Sequence, residues 1–147
     1  MFGRHLMHRM LDDTTRWLFA RQDAPSSVWR TLAWWEARRV PFNLIVGSYG
    51  VLCLVVFVWG LSTSGRLRPG EDAIEPMALL AAPFLVNALY CLGWLVEIPL
   101  HLIAPNASQG IGPILLKLGF AVGLGLISVP AAYWGGFRLL QLVGLAR

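Results

Sequence analysis

Residues 76–103 read PMALLAAPFLVNALYCLGWLVEIPLHLI, and this stretch decides the fold. It is a long apolar run in which Pro83, Asn87, Tyr90, Trp94, Glu97 and His101 recur every three or four positions. At ~100° per residue these groups fall within about 40° either side of one line down a helix. The remaining surface is mostly Leu, Ala, Val, Ile and Phe. Such a pattern predicts a membrane span with one face turned away from lipid.

The composition agrees. Hydrophobic residues make up 56% of the 147, charged residues only 14%, against the ~25% charge of an ordinary soluble domain. Mean hydropathy is +0.60. Apolar residues come in blocks close to the ~20 needed to cross a bilayer core, and short alternating strands of a β-barrel are missing. The expected fold is therefore all-α, a transmembrane bundle of three spans with an amphipathic N-terminal helix. Residues 1–27 are expected to form an interfacial segment. Residues 28–147 form one transmembrane domain, with spans at about 41–61, 77–103 and 111–134.

The interfacial segment places Phe2, Leu6, Met7, Met10, Leu11, Trp17 and Leu18 on one side of a helix, with Arg4, His8, Asp12 and Arg16 interspersed. That suits the membrane surface. Ser26 or Ser27 supplies an N-cap for a helix beginning near Val28. Trp29, Trp34 and Trp35 read as headgroup-belt residues, with Glu36, Arg38 and Arg39 at the water boundary. Pro41 is expected to kink the entry to the first span. Pro130 and Gly135-Gly136 are expected to bend or interrupt the third, leaving 137–147 as an interfacial tail or a kinked continuation.

Net charge is +4 and the sequence pI about 9.7. Arg4, Arg9, Arg16, Arg21, Arg30, Arg38 and Arg39 all precede the first span. By the positive-inside rule the N-terminus is cytoplasmic, in a bacterial inner membrane, and the basic residues contact anionic lipid. No nucleic-acid motif accompanies them. A cleavable signal peptide is not evident, so the first span is expected to act as the insertion signal. Cys53 and Cys91 lie in spans, without a C-x-x-C or metal-ligand spacing, and read as small buried residues.

Ionisable residues within a span are costly, ~2.5–3.5 kcal/mol near its centre on translocon scales. Glu97 and Lys117 lie at similar distances from the turn near Ala107, which predicts a Glu97–Lys117 pair roughly 10 Å inside the boundary. His101 follows Glu97 by one turn. Arg39 and Asn43 enter the first span from the same side, and Asn87 and Tyr90 extend the stripe to mid-depth. These seven residues form the expected polar intramembrane cluster, structural in the first instance. Gly47 and Gly50 on the first span, and Gly112, Gly119 and Gly123 on the third, provide smooth faces for helix packing.

Catalytic signatures such as H-E-x-x-H, G-x-S-x-G and the P-loop do not occur. Neither a metal site nor a resident cofactor is predicted. The function expected is an accessory or assembly subunit that packs against membrane lipids and other membrane proteins or itself. Two alternatives remain from the sequence. One is a small oligomeric transporter or proton-linked permease using Glu97 and His101. The other is a membrane anchor sharing a redox cofactor with a partner.

The segments Trp34-Trp35-Glu36-Ala37-Arg38-Arg39 with Phe42-Asn43, and Asn87-x-x-Tyr90-x-x-Gly93-x-x-x-Glu97, carry a resemblance. The first resembles a boundary motif in uncharacterised small multi-span bacterial membrane proteins, and the second resembles their second-span pattern. The resemblance implies a shared polar cluster and no particular activity.

Overall fold

The computed structural model describes residues 9, 12–20, 27–65, 76–104 and 110–145. All regular structure among them is helical. A short helix α1 covers residues 12–18. Three long helices follow: α2 (Val28–Thr63), α3 (Pro76–Ile103) and α4 (Ile111–Leu142). Each long helix has a stretch long and apolar enough to cross a membrane, the α3 stretch being Leu80–Ile103. Most of the predicted amphipathic face, Phe2 to Leu11, lies outside the described residues.

The helix ends follow local chemistry. Ser27 caps α2, its hydroxyl accepting the Arg30 N–H at 3.3 Å, as a residue with few non-helical competitors at this position should. At the far end of α4, Leu145 N–H bonds Leu140 O at 2.9 Å and Gly144 N–H bonds Gln141 O at 3.1 Å. Gly144 takes φ +75°. This is the Schellman arrangement, in which a left-handed residue satisfies the last carbonyls.

Neither proline interrupts its helix. Helix α2 begins thirteen residues before Pro41 and runs unbroken through it, and α4 runs through Pro130 and Gly135-Gly136 to Leu142. Proline forfeits one backbone bond. Ending the helix inside hydrocarbon would expose several unsatisfied groups, each costing more. The helices thus extend beyond the expected spans of 41–61 and 111–134, and residues 137–142 continue α4.

Two compact units divide the chain, and each long helix contributes to both. Unit one is Met1–Val40 with Tyr90–Gly119. Its buried residues are Leu18, Thr31, Trp35, Arg38, Tyr90, Glu97 and Leu116. Unit two is Pro41–Leu89 with Phe120–Arg147. Phe42, Val46, Leu61 and Ala131 are buried there, and the Phe42 and Phe120 rings meet at 4.7 Å.

Glycine sets the closest approach in unit two. A Cβ on Gly60 would lie 2.6 Å from the Trp134 carbonyl carbon and 2.8 Å from Gly135 N. One on Gly135 would lie 2.6 Å from Val56 Cγ1. Such backbone contact is how helices associate without a hydrophobic driving force.

Candidate functional site

In unit one the polar groups converge on Glu97, a carboxylate only 5% exposed. The Trp35 indole N–H donates to Glu97 Oε2 at 2.5 Å. Gly112 adds a backbone hydrogen bond to the same carboxylate. Gly112 is the second residue of α4, so its N–H is among the donors an isolated helix leaves unsatisfied, at the positive end of the helix dipole. Glu97 therefore ties α2 to the start of α4. Gly112 has no room for a side chain, since a Cβ would sit 2.8 Å from Glu97 Oε2.

Trp35 is itself fixed on three sides. Tyr90 OH donates to its carbonyl oxygen. The Tyr90 ring meets the indole edge-on at 5.3 Å, and Trp34 does so at 5.2 Å. Gly93 lets the indole lie directly against the α3 backbone, where any Cβ would overlap the ring.

A second node organises α1. Arg38, 5% exposed, donates through Nε to Leu18 O at 2.8 Å and through Nη2 to Trp17 O at 2.7 Å. Its Nη1 donates to Trp34 O at 3.1 Å. The guanidinium stacks between the Trp34 and Trp17 rings, at 3.9 and 4.7 Å from their centroids. A cation at the C-terminal carbonyls of a helix complements its dipole, and arginine's planar fork suits this double stacking. Arg38 is accordingly an internal clamp and not the water-boundary residue its position implied.

Of the seven residues of the expected cluster, Arg39, Tyr90, Glu97, His101 and Lys117 lie in unit one, and Asn43 and Asn87 in unit two. Arg39 pairs with Glu36 at 2.6 Å and approaches Cys91 Sγ at 3.7 Å. Asn43 donates to Asn87 Oδ1 at 3.3 Å in unit two. Tyr90 serves Trp35. His101 follows Glu97 by one helical turn on α3.

Lys117 makes no ion pair with Glu97. It is exposed, with Nζ 5.4 Å from the Phe19 ring centroid. Equal distance from the turn predicted height and left direction open. Glu97 faces Gly112, and Lys117 lies five residues further on, about 140° around the helix. The carboxylate thus sits level with the first turn of α4.

The glycine faces are used unevenly. Gly112 and Gly123 meet Glu97 and Leu89 respectively, and Gly50 just reaches Ile127 at 4.0 Å. Gly47 has nothing within 4 Å. The glycines in closest contact are Gly60, Gly93 and Gly135, not those singled out. Gly119 is half-buried.

Unit two carries an open apolar cleft of about 500 Å³, lined by Tyr49, Cys53, Trp59, Ala131 and Gly135 among others. Tyr49 OH and Ser128 Oγ hydrogen-bond there at 2.6 Å. Among the described residues, no three His, Cys, Asp or Glu side chains come together as a metal site.

Three apolar helices of spanning length define an α-helical multi-pass membrane protein. Comparison with protein-family models, with curated proteins and with solved structures finds no match to the chain.

Proposed function

We propose that the protein is an accessory or assembly subunit of a bacterial inner membrane, N-terminus cytoplasmic, that packs against other membrane proteins or a second copy of itself. One observation carries this reading. Gly47, Gly125 and Gly136 have nothing within 4 Å of where a Cβ would stand, so among the described residues no neighbour packs against them. In lipid, small residues on a helix surface permit close approach by another helix. The transporter alternative receives less support, because Glu97 is turned onto Trp35 and Gly112 and acts as a structural acceptor.

Affinity purification from native membranes in mild detergent tests the reading, with mass spectrometry of the product. A fixed partner, or a defined homo-oligomer, at constant ratio is expected. A monodisperse single chain carrying lipid alone would overturn it.

A further inference from the structure

We propose that Arg16, Phe19 and Lys117 form a site for the phosphate of an anionic phospholipid. Arg16 and Phe19 are three residues apart, and a Phe19 N–H to Thr15 O bond of 3.2 Å carries the turn of α1 through Phe19. Side chains at that spacing are surface neighbours. Lys117 reaches the same ring from α4, Nζ lying 5.4 Å from its centroid. Lys117 thus lies over the Phe19 ring, and Arg16 stands three positions before that ring in the chain.

Both cations are exposed. Asp12 lies one turn before Arg16, yet the ion pair formed among the described residues is Arg39–Glu36, and neither Arg16 nor Lys117 comes within 4.0 Å of a described carboxylate. Lys117 is the seventh residue of α4, about 9 Å along its axis. Ile114 and Leu118 beside it are 62% and 57% exposed. An ammonium rising from such a face has hydrocarbon below it and headgroups above. The anion at that level is lipid phosphate, and the exposed isoleucine and leucine offer an acyl chain its wall. Arg16 adds a fork suited to phosphate oxygens. The site requires that the helices cross a bilayer and is independent of the accessory-subunit reading.

Purified full-length protein in neutral detergent is titrated with phosphatidylglycerol and, separately, phosphatidylcholine, and bound lipid is counted by native mass spectrometry. Phosphatidylglycerol is expected to bind more tightly, and the preference should shrink as salt rises. Arg16→Gln and Lys117→Gln should each lower phosphatidylglycerol affinity by about fivefold, the effect of one basic residue at an anionic surface. Lys117→Arg should retain it, and Arg138→Gln in unit two should leave it unchanged. Competition by inorganic phosphate at millimolar concentration would mark a free-anion site and overturn the lipid assignment. Equal binding of the two lipids, or undiminished phosphatidylglycerol binding by the folded Arg16→Gln variant, would also overturn it.

Discussion

The Trp35 indole N–H and the Glu97 carboxylate meet at 2.5 Å, although 62 positions separate them in the chain. The contact supplies a charge-assisted donor to an acid removed from water, and the Gly112 amide supplies a second. Each of the three long helices thereby gives something to unit one: α2 the indole, α3 the acid, α4 a helix-terminal amide. Every partner would be costly to bury alone.

Trp35→Phe keeps most of the buried ring and deletes the donor. Losing one partner of a buried hydrogen bond costs about 1–3 kcal/mol, towards the upper end when the acceptor is charged. The variant should unfold at lower temperature in detergent, and Glu97→Leu should be at least as damaging because it strands two donors. Glu97→Gln, which keeps an acceptor oxygen, should cost less. A Trp35→Phe variant as stable as the parent would show that the bond carries no weight.

Alanine at glycine separates packing inside the chain from packing outside it. Gly60→Ala would force a methyl to within 2.6 Å of the Trp134 carbonyl carbon, and backbone cannot swing aside as a side-chain tip does. A loss of about 1–3 kcal/mol or more is expected, as for other overpacked sites. Gly47→Ala meets nothing within 4 Å and should leave the isolated chain's melting temperature unchanged. If Gly47→Ala destabilised the monomer in detergent as much as Gly60→Ala, the assignment of these two faces would be wrong.

Arg38→Lys keeps the charge and gives up the fork. Lysine cannot hold the Leu18 and Trp17 carbonyls in plane while stacking on Trp34 and Trp17. Hydrogen bonds from a charged group contribute about 1.5–3 kcal/mol, so amide exchange across residues 12–18 should quicken by about tenfold or more. Exchange in the middle of α3 should not change. Hydrogen exchange with peptide-level readout distinguishes the two, and unaltered protection of 12–18 would remove Arg38 as the clamp.

Periodicity made the three spanning helices legible, because lipid imposes a simple rule: long apolar runs with polar residues on one side. Residue type offered Ser26 or Ser27 as a cap, and Ser27 takes the position. Helix limits were less legible, since Pro41, Pro130 and Gly135 are breakers in water, where a freed carbonyl finds solvent, and not in hydrocarbon, where it does not. The expected Glu97–Lys117 pair failed for a geometric reason. Counting residues from a turn fixes height, whereas direction around a helix depends on how the neighbours are rotated. A tryptophan at a span boundary is commonly a belt residue, and the position of Trp35 alone points to that role. Its role as a donor left no local signal, because the Glu97 acceptor lies 62 positions away in the chain.

The Asn43–Asn87 amide bond at 3.3 Å joins α2 to α3 within unit two, well inside both helices. Either asparagine left alone in hydrocarbon would seek another partner, and that alternative limits what the pair contributes. Double-mutant cycles of comparable intramembrane bonds average about 0.6 kcal/mol, with a maximum near 1.7. A cycle of Asn43→Ala, Asn87→Ala and the double variant, followed by unfolding in mixed micelles, should give a coupling energy in that range, favouring the pair. Additive losses from the two single variants would mean that Asn43 and Asn87 contribute through separate contacts, and that the bond between them does not hold α3 to α2.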